Sequence, residues 1–108
     1  MWPLTANEIY QVITKDSKIR NDFENIIIDG VCLDSRKVKP QHLFVAIEGD
    51  RFDAHSFLED CFSKGTQVAL VNKNSSYLNN LSIENRKKCI EVENVLDKFR
   101  EFAKFMRS

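Results

Sequence analysis

The chain has 108 residues, which is enough for one domain around one hydrophobic core but not for two. Hydrophobic residues make up 43% of the chain and eight residues are phenylalanine, which argues for a packed interior rather than disorder. Sixteen basic residues balance sixteen acidic ones, so the basic surface typical of nucleic-acid binding is not expected.

The N-terminal quarter predicts one amphipathic helix. Thr5 is followed three residues later by Glu8, the spacing of a capping box, and the helix is predicted to run from Thr5 to Ile13. Its apolar face is formed by Ile9, Val12 and Ile13. Residues 14–25 are polar and predict a connection.

Four apolar runs predict the first strands. Ile26–Ile28 and Val31–Leu33 have the composition of strands, with a bend near Asp29–Gly30. Leu43–Ile47 and Val68–Val71 are continuous apolar runs, which are typical of strands buried on both faces of a sheet.

Two helices and one more strand are predicted in the second half. His55–Lys64 predicts a helix that stops at Gly65, with an apolar face formed by Phe57, Leu58, Cys61 and Phe62. The polar stretch Asn72–Lys88 predicts a surface excursion, and Cys89–Val92 predicts a short strand. Asn94 can cap a final helix whose apolar positions repeat at helical spacing: Val95, Phe99, Phe102, Ala103 and Met106.

This order predicts a layered α/β domain, with a mixed or mostly parallel sheet flanked by helices, over residues 1–108. No apolar run reaches the roughly 18 residues of a membrane span. The three cysteines are irregularly spaced and odd in number, which favours free thiols in a reducing cytoplasm over a disulfide framework. Two histidines and no carboxylate cluster at ligand spacing predict no metal site.

A first polar turn, Asp34-Ser35-Arg36, follows a predicted strand. A hydroxyl and a guanidinium at this place can both reach one phosphate group, and ligands of open α/β sheets commonly bind beyond the carboxyl ends of strands. The alternative is a simple Asp-Ser turn in which Arg36 is solvated or paired with Asp34. The tripeptide alone favours that alternative.

A second polar turn, Gly49 to His55, follows the next strand. Asp50 and Arg51 can offer polar contacts to the edge of a base. Phe52 can stack on a ring or anchor the loop in the core. Asp53 is a plausible N-cap for the following helix. For His55, a hydrogen bond to Asp53 or to backbone is at least as favoured as contact with a ligand.

The sequence has no GxxxxGK[ST] phosphate loop and no GxGxxG motif. No Ser/His/Asp or Cys/His arrangement stands out either. We therefore predict no catalytic residue in this chain, and we interpret both polar turns as parts of a binding site.

The ordered combination of these motifs is more specific than any one of them. It consists of Asp34-Ser35-Arg36, Val38, Pro40, Leu43 to Ala46, Gly49, Asp53-Ala54-His55 and Gly65. Together they resemble the N-terminal domain of the Mur ligases, which build the peptidoglycan precursor of bacteria. The final strand and helix also resemble those that close this domain in the family, where the helix leads into a central domain. The form of the second turn favours the ligase type that adds D-alanyl-D-alanine over its neighbour that adds the third amino acid.

The resemblance implies a role in holding the UDP end of a UDP-N-acetylmuramoyl-peptide. By position it assigns Leu33 and Ser35 to the uridine-diphosphate site, together with the loop residues Asp50, Arg51 and Phe52. The weaker additions to this site, which are as well suited to ordering the loops, are Arg36, Asp53 and His55. The resemblance implies no cofactor in this domain, whereas the complete ligase uses ATP and Mg²⁺ to activate the substrate carboxylate.

Two departures from the family pattern qualify this interpretation. The glycine that usually follows Pro40 is Gln41 here, and Gly65 is followed by Thr66 instead of a smaller residue. The family's ATP-binding and C-terminal domains are also absent from these residues. We therefore expect a substrate-binding domain that is not catalytic alone.

Two other hypotheses stay open. The domain could be an interaction module that keeps the fold but has lost UDP binding, as Gln41 and the short chain suggest. It could also be a small enzyme that uses Ser35 or His55, although no base is placed beside Ser35 in the sequence.

Overall fold

The computed structural model describes residues 2–107, which form a four-stranded parallel sheet and a separate two-stranded ribbon. The sheet has the order β3-β4-β5-β6, and its strands are Gly30–Cys32, His42–Val45, Val68–Asn72 and Cys89–Val92. The ribbon pairs β1 (Leu4–Thr5) antiparallel with β2 (Ile27–Ile28). The helices are α1 (Ala6–Thr14), α2 (Leu58–Ser63), α3 (Ile83–Arg86) and α4 (Val95–Arg107). This architecture confirms the predicted α/β domain.

The two central strands are buried on both faces, as their unbroken apolar runs predict. Alternate side chains of a strand point to opposite faces, so β4 and β5 contribute to two separate cores. Leu43, Val45, Val68 and Leu70 pack on the side of α1 and α4. Phe44, Ala69 and Val71 pack on the other side, with α2 and with Leu78 from the stretch between β5 and β6. The sheet is therefore the middle layer of three.

The predicted helix caps are present. The Thr5 hydroxyl accepts from the Glu8 amide at 3.0 Å, and the Glu8 carboxylate accepts from the Thr5 amide at 2.8 Å. Asn94 caps α4 by accepting from the Asp97 amide at 3.0 Å. Each bond satisfies an amide that the helix itself leaves without a partner.

At the predicted bend near Asp29, the chain passes from one sheet to the other. Ile27 and Ile28 pair with the chain's N-terminal strand, whereas Gly30–Cys32 joins the parallel sheet beside β4. Strand β1 was not predicted, because two residues cannot show an alternating pattern. Between the two sheets, the Asp29 amide donates to the carbonyl of Gln41 at 2.9 Å.

The helix predicted over His55–Lys64 starts differently. Residues Ala54–Phe57 form a 3₁₀ turn, and the α-helix begins only at Leu58. The prediction that Phe57 belongs to the buried face is wrong, since this side chain is 41% exposed. The 3₁₀ turn has three residues per turn, so the helical spacing used to place Phe57 does not apply there.

The predicted polar excursion between β5 and β6 is folded. It contains a 3₁₀ turn, Ser76–Asn80, and the short helix α3. Leu78 is buried and anchors the excursion on the core. The connection between these two parallel strands is therefore held on the sheet by Leu78, and it contains no long crossover helix of the kind that usually joins such strands.

Strand β6 lies at one edge of the sheet. Arg20, from the connection after α1, donates to the carbonyl of Lys87 at 2.6 Å and to the carbonyl of Cys89 at 3.0 Å. Its guanidinium lies over the ring of Phe23, 4.2 Å from the centroid. One side chain therefore holds the N-terminal connection against the edge strand.

Candidate binding site

A surface pocket of about 470 Å³ lies beyond the carboxyl ends of β3 and β4. Because these parallel strands are neighbours, the turns that follow them meet at the same edge of the sheet. The pocket brings together four predicted site residues, Leu33, Ser35, Arg36 and Phe52. Its wall is mostly apolar and is completed by Asp34, Ala54 and Phe57.

Two large apolar side chains of the pocket wall are exposed to solvent. Leu33 is 47% exposed, Phe52 is 66% exposed, and Phe57 lines the same cavity. Large apolar side chains left in contact with water around a cavity commonly mark a ligand site. Here they could hold a flat ring, while the turn at Ser35 supplies the polar end of the pocket.

The first turn is fixed by Asp34. Its carboxylate accepts from the Arg36 amide at 2.9 Å, and it binds the Arg36 guanidinium through two bonds of 3.1 and 3.2 Å. These hydrogen bonds lower the pKa of Asp34 and raise the pKa of Arg36. The pairing of Arg36 with Asp34, one of the two alternatives predicted for this turn, is present in the structure. Since the Arg36 side chain is 85% exposed, its outer surface is still open to an anion.

Lys64 is a residue of this turn that the sequence analysis missed. Its ammonium donates to the carbonyl of Ser35 at 3.0 Å and pairs with Asp60 at 3.0 Å. Lys64 therefore holds the backbone of this turn at Ser35, although it does not itself line the pocket. No local signal could have revealed this contact, because it joins residues 29 positions apart.

The second turn is a short closed loop. The Gly49 amide donates to the carbonyl of Phe52 at 2.9 Å, and Glu48 forms an isolated bridge with Asp53. This closure projects Phe52 towards the pocket. Asp50 and Arg51 are exposed in the loop and do not line the pocket wall.

Asp53 and His55 hold this loop from within the protein. The Asp53 carboxylate accepts from the His55 amide at 2.9 Å and lies 2.6 Å from His55 Nδ1. The His55 ring is buried, and its Nε2 accepts from the Asn72 amide at 2.9 Å. Both ring nitrogens are thus engaged inside the protein, as in the structural alternative predicted for His55. Its contact with a ligand stays a prediction.

The two histidines of the chain lie outside this pocket. The only two histidines are His42, whose Nδ1 accepts from the Lys39 amide at 3.1 Å, and the buried His55. Neither lines the pocket beside Ser35. Across residues 2–107, no group of three or more His, Cys, Asp or Glu side chains is placed to hold a metal ion. Within the same range, every helix is too short or too polar to cross a membrane.

Comparison with known proteins finds similarity to one family of ligases. A family model described as "Mur ligase family, catalytic domain" matches residues 27–107. The UDP-N-acetylmuramoyl-tripeptide–D-alanyl-D-alanine ligase of Bacillus subtilis is 35% identical over 66 residues, which cover 61% of this chain and 14% of the relative. The corresponding ligase of Escherichia coli is 43% identical over 49 residues, or 45% of this chain and 11% of the relative.

A second ligase type is also similar. The UDP-N-acetylmuramoyl-L-alanyl-D-glutamate–2,6-diaminopimelate ligase of Caldanaerobacter subterraneus is 38% identical over 52 residues, covering 48% of this chain and 11% of the relative. Among solved structures, MurF from Acinetobacter baumannii superposes with a TM-score of 0.71 and 24% identity over 97% of this chain. The match covers 21% of that protein, so the chain has the fold of one part of a much longer polypeptide.

Proposed function

The chain belongs to the Mur ligase family, and we propose that it is the domain that holds the UDP end of a UDP-N-acetylmuramoyl-peptide in an ATP-dependent ligase of peptidoglycan synthesis. One observation carries this proposal. The turns after β3 and β4 form a single pocket with exposed apolar side chains along its wall and a hydroxyl and a guanidinium among its polar groups. This distribution suits a nucleotide with a flat base and a diphosphate.

The pocket suggests a role for each residue. Leu33 and Phe52 would contact the uracil ring, since both are exposed and apolar. Ser35 and Arg36 would donate to the diphosphate, because guanidinium and hydroxyl groups form short bonds to phosphate oxygens. Asp50 and Arg51 would reach the base from the loop. Asp53 and His55 would keep the loop in its bound shape.

The complete ligase would need residues that this chain does not have. The 108 residues contain no phosphate loop, and the part that the structure describes has no cluster of metal ligands. They therefore do not fit ATP or Mg²⁺, and we assign both to other domains of the ligase. By family resemblance, α4 leads towards the central domain. We place the protein in the cytoplasm and favour D-alanyl-D-alanine as the second substrate.

An amide-resolved NMR titration of the 108-residue chain with UDP tests the proposal, with UMP and ATP as comparison ligands. We expect the largest shifts at residues 33–36 and 49–55, and we expect them to be strongest for UDP. Affinity should be modest, because one domain provides only part of the contacts to the substrate. Equal shifts with ATP, or shifts whose largest values lie outside these two turns, would contradict a uridine-diphosphate site.

The second candidate function is an interaction module that has lost the ligand. The closed Arg36–Asp34 pair and Gln41, in place of the family's glycine, favour it. It predicts no amide shifts at millimolar UDP in a well-folded sample. The same titration therefore separates the two functions.

A further inference from the structure

Asn72, the last residue of β5, connects the second turn of the site to the start of α4. Its amide donates to His55 Nε2 at 2.9 Å, and its side-chain Oδ1 accepts from the Val95 amide at 2.8 Å. Val95 is the first residue of α4 and is buried. Asn72 therefore forms hydrogen bonds both to the histidine under the loop and to the first amide of α4, which has no acceptor within the helix.

The direction of these bonds fixes the state of the histidine. Because Nε2 accepts from the Asn72 amide, the ring proton is on Nδ1, from which it is donated to Asp53. The sequence of bonds is thus Asp53 to His55, His55 to Asn72, and Asn72 to Val95. Asp53 immediately follows Phe52, which lines the pocket.

We propose that Asn72 is a positioning residue that couples the Phe52–Asp53 side of the ligand loop to the N-terminus of α4 through the buried ring of His55. The inference rests on the proposed function for its ligand, but not for the coupling itself. A ligand that fixes the loop shifts Asp53, and the buried ring passes this shift to Asn72 because it is held at both nitrogens. The first turn of α4 then responds, although it does not line the pocket.

Two substitutions of His55 separate its hydrogen bond to Asp53 from its hydrogen bond to Asn72. In His55→Asn the amide nitrogen can replace Nδ1 and keep the bond to Asp53, whereas His55→Gln can reach the Asn72 amide. At the other end, Asn72→Ala removes the acceptor for Val95, and Asn72→Asp keeps an oxygen at that place. An acidic group there also suits the N-terminus of a helix.

The experiment follows the Val95 amide by NMR during UDP titration of the 108-residue chain. In the natural sequence we expect the amides of the loop, Asn72 and Val95 to shift with one dissociation constant. Asn72→Ala should abolish the Val95 shift and change the UDP dissociation constant by less than about twofold, and Asn72→Asp should restore the shift. If Asn72 had only a structural role, Asn72→Ala would not change the Val95 shift separately from the UDP dissociation constant. The proposal is overturned if saturating UDP moves the loop amides but not Val95.

A second measurement needs no ligand, so it stays decisive if UDP does not bind. Asp53→Ala should shift the amide resonances of Asn72 and Val95 and speed hydrogen exchange at Val95 by at least about threefold. Glu59→Ala, an exposed carboxylate in α2, is the matched control and should leave them unchanged. Unshifted Asn72 and Val95 amides in Asp53→Ala would refute the coupling, and they would do so independently of the UDP site.

Discussion

Arg36 has to exchange partners if the pocket binds a diphosphate. In the free domain its guanidinium forms two bonds to Asp34. The pair is exposed, so water screens the attraction between its charges and breaking it costs little. The hydrogen bonds to Arg36 lower the pKa of Asp34, which favours the charged form that makes this pair. The resting pair thus keeps Arg36 close to the pocket without blocking a stronger anion.

Removing either donor should weaken UDP binding without unfolding the domain. For Ser35→Ala and Arg36→Ala we expect the dissociation constant to rise about tenfold, because each loses a hydrogen bond to a charged oxygen. Calorimetric or NMR titration would measure it. Ser17→Ala and Arg100→Ala, both exposed and outside the pocket, are the matched controls. Unchanged affinity in both site variants would rule out these roles.

Part of the site follows from the sequence, for a physical reason. Ser35 and Phe52 could be placed together, since the ends of neighbouring parallel strands share one edge of a sheet, whereas Leu33 was assigned to the site by the family resemblance alone. Lys64 could not be placed there, because its bond to Ser35 depends on how α2 packs on the sheet. The two hydrogen bonds of the His55 ring likewise become visible only when the end of β5 is in position.

At the scale of elements, the turn after α2 depends on a glycine. Gly65 has a φ angle of +104°, which side-chain-bearing residues rarely adopt. A β-carbon there would lie 3.1 Å from Cγ of Pro40, which belongs to the turn between β3 and β4. The glycine therefore allows both the stop of α2 and the close approach of a neighbouring turn.

Gly65→Ala should lower the free energy of unfolding by about 1–2 kcal/mol, because it combines an unfavourable φ angle with a tight contact. Urea denaturation would measure the change. Gly30→Ala is the matched control, since its β-carbon would meet His42 at 3.6 Å, an ordinary contact distance. Equal effects of the two substitutions would contradict the argument from backbone conformation.

The elements that the sequence predicts well are those with a local cause. The α1 capping box lies within four residues, and β4 and β5 have continuous apolar runs. The elements that were missed have a distant cause. Strand β1 exists because β2 pairs with it, and the 3₁₀ start before α2 depends on Asp53 and the loop. Local pattern alone cannot supply these partners.

At the scale of the whole molecule, the sheet separates two cores, and two thiols lie in one of them. Cys61 and Cys89 are both buried in the core that faces α2. Burial raises the pKa of Cys61 to about 11 and that of Cys89 to about 12, because the thiolate is poorly solvated there. Both thiols therefore stay neutral, and chemically inert, at physiological pH.

These raised pKa values predict a loss of stability in alkali. In the unfolded chain the thiols ionise near their ordinary pKa of 9.0. In the folded domain the pKa is about 11 for Cys61 and about 12 for Cys89. Their contribution to stability is complete below pH 9 and decreases as the pH rises through this window. Urea denaturation at pH 8 and pH 10.5 should show a smaller loss for the Cys61→Ala/Cys89→Ala variant than for the natural sequence. An equal loss would assign the effect to other groups.

The bonds of Arg20 to the edge strand also concern how copies of the domain behave towards one another. An edge strand with unpaired carbonyls is a template on which a second molecule can add its own strand. On β6 the arginine occupies the outward carbonyl of Cys89, and its position over Phe23 keeps it there. An incoming strand would have to displace a charged group that is already bonded. We therefore expect Arg20 to hinder strand addition between copies of this domain along that edge.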